Sequence, residues 1–111
     1  MNENTTITAQ SNYGTIQNPV CASNSLYRVI QFAFIPNEAI SVGSTVDINI
    51  GGIAFPNVTF YVAVPYGDNI ILAWTDKETK YKIKIRPMIK TLAKDSVLGI
   101  TMQFPRMNVA E

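Results

Sequence analysis

The sequence predicts a single all-β domain: an antiparallel β-sandwich of jelly-roll-like form, or a small barrel, with about six to eight strands. Three observations favour it. Short runs of alternating apolar and polar residues recur along the chain. These runs are separated at short intervals by the turn-forming residues Pro, Gly, Asn and Asp. The connections between them are too short for the helical crossovers that a parallel sheet needs. With 111 residues, the chain has the length of one domain and can hold a core without metal or disulfides.

Residues 1–25 differ from the rest of the chain in composition. They are rich in Asn, Thr and Ser and predict a polar N-terminal arm or a loose edge segment, with short strands near Thr6–Ala9 and Thr15–Gln17. Residues 26–111 predict the sandwich itself. The N-terminus has neither the basic residue nor the apolar run of a signal peptide, and no apolar stretch approaches the length of a membrane span.

Strand-like runs and turn signals follow one another through residues 26–111. Thr45–Ile50 is the clearest run, because apolar and polar residues alternate throughout it. Pro65–Asn69 predicts a turn, since Pro fixes φ and Gly67 tolerates a positive φ. Only Met88–Asp95 could form a helix, and a short one. The predicted strands are Tyr27–Ile35, Thr45–Ile50, Asn57–Val64, Ile70–Trp74, Thr79–Arg86 and Val97–Phe104.

Two of these runs, Tyr27–Ile35 and Ile70–Trp74, are apolar on both faces. In a two-layer sandwich the outward face of a strand is expected to be polar. Either loops and the N-terminal arm cover the additional apolar face, or a second copy of the chain covers it. The residues predicted to form such an interface between copies are Phe32, Phe34, Ile71 and Trp74.

Composition argues against most catalytic chemistry. The chain has no histidine, which excludes Ser-His-Asp and Cys-His mechanisms, and its one cysteine, Cys21, permits neither an intrachain disulfide nor a cysteine zinc site. We therefore predict a protein that is not an enzyme and has no catalytic residue, metal or cofactor. A small buried thiol is the favoured interpretation of Cys21, with a covalent link to a second copy or a reactive thiol as alternatives.

Charge is scarce and unevenly distributed. Only 15% of the residues are charged, against about 25% in ordinary proteins, and the net charge is +1. Eight of the nine cations follow residue 76, and Lys80, Lys82, Lys84 and Arg86 share one face of a predicted strand. This candidate basic surface predicts either an exposed or edge strand whose lysines block aggregation, or a site for phosphates or an acidic partner. Tyr81 points away from it, which weakens the nucleic-acid interpretation.

Aromatic side chains are the candidates for a carbohydrate site. Tyr66, in the predicted turn Pro65–Asn69, is the one expected to be exposed and is the candidate glycan contact. An aromatic residue within a strand more often packs in a core or an interface. A carbohydrate-binding module is therefore the second interpretation of function, and a nucleic-acid-binding β-barrel that uses the lysine strand is the third.

Three segments of the chain carry a resemblance to known proteins: the Asn- and Thr-rich leader Asn2–Asn12, the stretch Val42–Ile50 and the closing strand Leu98–Phe104. In these segments it resembles small accessory proteins of tailed-bacteriophage virions, namely capsid decoration proteins, head fibres and the globular heads of tail fibres. The resemblance implies a non-enzymatic structural or attachment protein located in the virion. It also implies an oligomer, with a trimer favoured, that is held to a capsid or tail through the N-terminal arm.

Overall fold

The computed structural model describes residues 3–23, 26–53, 55, 59–76, 78 and 81–105, with the backbone alone at 3–5 and 104–105. These residues form nine strands and no helix, which confirms the all-β prediction. Every pairing between the strands is antiparallel. The strands are Glu3–Thr5 (β1), Thr8–Gln10 (β2), Gly14–Ser23 (β3), Tyr27–Pro36 (β4), Val46–Gly51 (β5), Phe60–Tyr66 (β6), Asn69–Thr75 (β7), Lys82–Pro87 (β8) and Leu98–Pro105 (β9).

The strands lie in two separate sheets, so the predicted sandwich is confirmed in preference to a barrel. One sheet has four strands in the order β1-β3-β4-β9, and the other has five in the order β2-β5-β8-β7-β6. The pairs β4·β9, β5·β8 and β6·β7 are nested in chain order. Within the five-stranded sheet, β6, β7 and β8 are consecutive and β5 lies beside β8, which is a Greek-key arrangement.

The core lies between the two sheets and is formed by alternate residues of their strands. In β5, Val46, Ile48 and Ile50 are buried, as the alternation in the sequence predicts. Ile83 and Ile85 of β8 pair with Ile48 and Val46 and are buried beside them. Each such side chain stabilises the fold by about 1.5–3 kcal/mol relative to an exposed one, so this layer is the main source of stability. The other sheet contributes Ile30, Phe32, Phe34, Leu98, Ile100 and Met102.

A β-bulge interrupts β3. The register shifts between Gln17 and Val20, where Asn18 and Pro19 lie opposite one residue of β4. Asn18 has a φ of 53°, a left-handed conformation that asparagine tolerates, and Pro19 has no N–H that the irregular pairing would leave unbonded. The additional residue resets the alternation of the strand, so Cys21 points into the core.

Residues 3–23 lie within the sandwich and contribute to both sheets. β1 and β2 are edge strands of the four- and five-stranded sheets, and β3 lies inside the first sheet between β1 and β4. From the sequence, residues 1–25 are predicted to form an N-terminal arm or a loose edge segment. β3 extends well beyond the predicted strand Thr15–Gln17 because Asn18-Pro19, which is a turn signal in a sequence, is accommodated here as a bulge.

The β6–β7 hairpin turns within the predicted turn Pro65–Asn69. Tyr66 pairs with Asn69, which leaves Gly67 and Asp68 as the two residues of the loop. The φ of Gly67 is 60°, as the first position of a type II′ turn requires. Glycine meets this requirement without steric cost, so the hairpin depends on it.

The segment 88–95, the one stretch in which the sequence allowed a short helix, forms no helix. Asn69 holds the start of the segment: its Oδ1 accepts hydrogen bonds from the N–H of Lys90 (2.9 Å) and Ile89 (3.3 Å), and its Nδ2 donates to the Lys90 carbonyl (2.9 Å). Further along, Leu92 and Ile40 exchange two backbone hydrogen bonds of 2.8 Å each. These backbone groups of Ile89, Lys90 and Leu92 are therefore bonded to other parts of the chain.

Candidate functional site

The outward side chains of the five-stranded sheet form a mixed aromatic and cationic surface. They occupy the positions of β6, β7 and β8 that alternate with buried residues such as Ile71, Ile83 and Ile85. The antiparallel register brings them into rows that run across the sheet. We call this surface the aromatic–cation face, and its members are Tyr61, Ala63, Leu72, Trp74, Lys82, Lys84 and Arg86.

One row of this face joins aromatic rings to charged groups. Tyr61 pairs with Trp74, Trp74 with Lys84, and Lys84 with Asp47. The row therefore spans four strands, from an exposed phenol ring on β6 to a carboxylate on β5. Groups that lie far apart in the sequence become neighbours at the spacing of adjacent strands, about 4.8 Å.

Trp74 lies at the centre of the face and fixes its neighbours. The rings of Tyr61 and Trp74 stack with centroids 6.2 Å apart and planes at 28°. The guanidinium carbon of Arg86 lies 5.0 Å from the centroid of the Trp74 ring, a cation–π contact. Arg86 also donates hydrogen bonds to Thr45 Oγ1 from Nε (3.2 Å) and Nη2 (2.8 Å). The arginine is therefore held in place before any ligand binds.

The charges of this region nearly balance. Lys84 Nζ lies 3.5 Å from Asp76 Oδ2, and Asp47 is the cross-strand neighbour of the same lysine. Lys82 and Arg86 are the other cations of the face. Among the described side chains of this region, donors and acceptors are interleaved, unlike the uniformly positive lining of a phosphate-binding groove.

A cavity of about 220 Å³ adjoins the aromatic–cation face at Thr45. Thr45 both lines the cavity and accepts the hydrogen bonds of Arg86, so the two features share a side chain. The cavity is polar on several sides, with Glu38 and Ser41 among its lining residues. Tyr13, which is 47% exposed, also lines it and offers an accessible aromatic ring.

The outward face of the four-stranded sheet has a different character, because none of its described side chains is charged. On its edge strand β9, an added Cβ at Gly99 would meet no atom within 4 Å. A shallow depression of about 470 Å³ surrounds Gly99 and Ala33. We call this surface the neutral face, and its members are Thr15, Gln17, Val20, Ala22, Tyr27, Val29, Gln31, Ala33, Ile35, Gly99, Thr101 and Gln103.

The residues that the sequence assigned to an interface between copies are buried within the chain itself. Phe32, Phe34 and Ile71 point between the sheets and belong to the core. Trp74 points outward but is only 8% exposed, because Tyr61 and Arg86 pack against its ring. In the folded chain these side chains are therefore not available to a second copy, and an interface has to use other residues.

The candidate basic surface lies within the five-stranded sheet. Lys82, Lys84 and Arg86 project from one face of β8, while Lys80 falls outside the described residues. β8 lies between β5 and β7 and is not an edge strand, so its lysines do not block aggregation at a sheet edge. Tyr81, which the sequence placed within this strand, lies in the turn before β8 and is 58% exposed.

The accessible aromatic residue of the sheet is Tyr61 and not the candidate glycan contact Tyr66. Tyr66 is half-buried and packs against the core, because β6 extends through it to the turn. Tyr61 is 59% exposed. Its outward position follows from the alternation of the predicted strand Asn57–Val64, but only the register of β6, β7 and β8 places it and Trp74 beside cations.

Cys21 lies on the inner side of the four-stranded sheet and is 2% exposed. Burial raises the pKa of its thiol, while the charge of the buried Arg28 and hydrogen bonds with Ser23 and Arg28 act in the opposite direction. The thiol is therefore protonated at neutral pH and shielded from reagents. Among the residues described, no group of three or more His, Cys, Asp or Glu side chains is arranged to hold a metal ion.

No family model, curated protein or solved structure matches this chain. The described residues contain no helix that is long and apolar enough to cross a membrane. The two outer faces of the sandwich are therefore the features from which a function can be proposed.

Proposed function

We propose that the protein is a non-enzymatic structural or attachment protein that works as an oligomer on a larger particle, such as a bacteriophage virion. In this proposal the neutral face packs against other copies or a carrier, a trimer is the expected oligomer, and the aromatic–cation face stays accessible. The observation that carries the proposal is an outer sheet face whose described side chains are all uncharged, with an open glycine on its edge strand β9.

Neither the backbone conformation nor the described surroundings of position 99 require a glycine. A glycine inside a strand destabilises the fold by roughly 0.5–1 kcal/mol relative to alanine. A Cβ at Gly99 would meet nothing within 4 Å, and the residue does not have a positive φ. Glycines inside strands often mark the close approach of another backbone, so this open position supports packing by a second molecule.

The composition of the neutral face also suits burial. Removing a charge from water is costly unless the charge is paired, whereas the Thr, Gln, Ala and Val side chains of this face are small or neutral. Val20 is 50% exposed and lines the same depression as Gly99. A partner surface that fits here would bury apolar area without leaving a charge unpaired.

The particle setting rests on the sequence resemblance to accessory proteins of tailed-bacteriophage virions. Many copies on one particle act together, because each bound copy raises the effective concentration at which the next contact forms. A modest neutral face on each copy is therefore sufficient for stable attachment.

Sedimentation equilibrium of two arginine variants tests the proposal. Gly99→Arg and Ala63→Arg both lie at exposed strand positions, one on each outer face, so each side chain fits the free chain. Wild type and Ala63→Arg are expected to form the same oligomer at micromolar concentration. Gly99→Arg is expected to be monomeric, since the arginine would separate the packed surfaces and bury an unpaired charge.

Two results would overturn the proposal. One is a wild-type chain that stays monomeric at every concentration and ionic strength. The other is an oligomer that Ala63→Arg disrupts and Gly99→Arg leaves intact, because the contact would then involve the aromatic–cation face.

A further inference from the structure

We infer that the aromatic–cation face binds an acidic carbohydrate, a saccharide chain that carries carboxylate groups. The surface extends from Tyr61 across Arg86 to the cavity at Thr45. This ligand class specifies what the attachment role proposed above would attach to, and in that respect it rests on the proposed function. The binding surface itself belongs to a single copy of the chain.

Tyr61 provides the stacking surface for a sugar ring. Its side chain is 59% exposed, and stacking on Trp74 fixes its orientation. The apolar C–H face of a sugar ring leaves water when it packs on an aromatic ring, with weak C–H···π contacts in addition. Ala63, the next outward residue of β6, is small and exposed, so the ring is open on that side.

Arg86 is placed to bind a carboxylate. Trp74 lies 5.0 Å beneath its guanidinium, and Thr45 Oγ1 accepts from its Nε and Nη2. The remaining N–H groups on Nη1 and Nη2 form part of a planar fork that matches the two oxygens of a carboxylate. Because the side chain is already fixed, little rotamer freedom is lost when a ligand binds.

The spacing of these two groups favours an extended ligand. β7 separates β6 from β8, so Tyr61 and the cations of β8 lie about 10 Å apart across the sheet. A chain of linked sugar units can place a ring on Tyr61 and a carboxylate on Arg86 at the same time. A single small anion cannot use both groups.

The interleaved donors and acceptors favour a carbohydrate over a nucleic acid. Asp47 and Asp76 lie beside Lys84, and a phosphodiester backbone, which only accepts hydrogen bonds, has no donor for their carboxylates. Sugar hydroxyls both donate and accept hydrogen bonds, so they can use the carboxylates and the lysines alike. Within the described part of the aromatic–cation face, only Tyr61 offers an open ring, whereas single-strand binders stack successive bases on several.

The cavity at Thr45 lengthens the surface beyond Arg86. Its volume of about 220 Å³ and its concave form suit part of a ligand that continues from the sheet. Tyr13 supplies a second accessible ring there, and Glu38, Ser41 and Ser44 supply groups that can bind hydroxyls. The proposed ligand therefore contacts aromatic rings at both ends and a fixed cation between them.

Isothermal titration calorimetry with a panel of acidic oligosaccharides tests the inference. The probes are oligomers of galacturonate, of mannuronate and guluronate, of hyaluronan and of sialic acid, each paired with its methyl ester, which keeps the rings and removes the charge. We expect at least one acidic oligomer to bind with a Kd below about 1 mM, and its ester to bind at least about tenfold more weakly.

Matched variants locate the binding surface. Tyr61→Ala and Arg86→Gln are each expected to weaken binding by about tenfold or more, because each removes one of the two anchoring groups. The controls are Tyr81→Ala, which removes a tyrosine of similar exposure (58%) outside the face, and Lys90→Gln, which removes an exposed cation outside it. Both controls should bind as tightly as the wild type, and circular dichroism should show that every variant is folded.

Four results would overturn the inference: no binding to any acidic oligomer, equal affinity for the esters, equal loss of binding in the control variants, or tighter binding to single-stranded oligothymidylate than to every oligosaccharide. Gly99→Arg separates this inference from the proposed assembly, since it leaves the aromatic–cation face unchanged. If Gly99→Arg binds sugar as the wild type does while the wild-type chain is monomeric, the assembly proposal fails and the ligand inference stands.

Discussion

The two outer faces of this sandwich differ in how far their own side chains cover the sheet. On the aromatic–cation face long side chains cover one another: Trp74 stacks on Tyr61, and Arg86 lies over the indole and binds Thr45. On the neutral face the side chains are mostly short, and Gly99 leaves open space above β9. An exposed sheet face can thus be completed by its own side chains or, as we propose for the neutral face, by a neighbouring molecule. The two solutions have different consequences for stability and binding.

The largest predicted difference between the faces is in stability. Trp74→Ala should lower the free energy of unfolding by about 3 kcal/mol, because it removes a nearly buried indole and frees Tyr61 and Arg86. Val29→Ala, on the neutral face, should lower it by about 1 kcal/mol. Urea unfolding at fixed protein concentration in a Gly99→Arg background measures both without a contribution from assembly. Equal losses for the two variants would contradict the comparison.

The side chain of Asn69, at the start of β7, holds the loop after β8 through hydrogen bonds to its backbone. Asn69→Ala should cost about 2 kcal/mol, because the backbone N–H of Lys90 loses its acceptor and the Lys90 carbonyl loses its donor. The matched control is Asn49→Ala on β5, where the side chain is exposed and the expected change is within about 0.5 kcal/mol. Thermal or urea unfolding measures both, and a loss below about 0.5 kcal/mol for Asn69→Ala would show that the loop is held by other contacts.

Arg86→Lys should have a smaller effect, about 1 kcal/mol. Lysine keeps the charge but loses the planar contact with Trp74 and the paired donation to Thr45. A double-mutant cycle with Thr45→Val isolates the arginine–threonine contribution, and we expect a coupling of about 0.5–1 kcal/mol. Additive effects would mean that Thr45 does not orient the arginine.

The inner side of the four-stranded sheet should respond to alkaline pH. Burial raises the pKa of the Cys21 thiol, so the folded chain keeps the proton at a pH where the unfolded chain has lost it. Stability is therefore full below the unfolded pKa and falls as pH rises from that value towards the folded pKa. Cys21→Ala should remove this part of the pH dependence in urea unfolding. In the wild type, a thiol reagent should react only as fast as the chain opens, and rapid reaction of the native chain would contradict the buried position.

The smallest effect belongs to the exposed ion pair at the β6–β7 turn. The hydrogen bond and charge of Lys90 lower the pKa of Asp68, so the pair stabilises the fold above the unfolded pKa, and this contribution is lost as pH falls through the folded pKa. Both groups are exposed, and salt screens such a pair strongly. Asp68→Asn should therefore change the acid limb of the unfolding curve only slightly, and less at high salt. A large change would show that the pair supports the Asn69 loop.

The sequence predicts which residues of a strand face the core better than it predicts irregularities such as the β-bulge in β3. Alternation alone places Val46, Ile48 and Ile50 in the core, because period-two burial is a local property of a strand. The bulge at Asn18-Pro19 could not be predicted, since the same dipeptide commonly ends a strand.

The candidate site was harder to predict, because it depends on register. Tyr61, Trp74 and Arg86 come from three strands, and no local pattern says which residues will lie opposite one another. The prediction of an interface at Phe32 and Phe34 was wrong, because these side chains lie on the face of β4 that points into the core. A strand that is apolar on both faces does not show from its sequence which face packs against the second sheet.

We propose that another molecule covers the neutral face and leaves the aromatic–cation face open, and the reactivity of an introduced thiol on each face distinguishes the two. Q31C and A63C place one reactive group at an exposed position on each face, in a Cys21→Ala background. We expect the Q31C thiol to react with a small disulfide reagent more slowly as protein concentration rises, and the A63C thiol to react at a constant rate. Equal rates at every concentration, or protection of A63C alone, would contradict it.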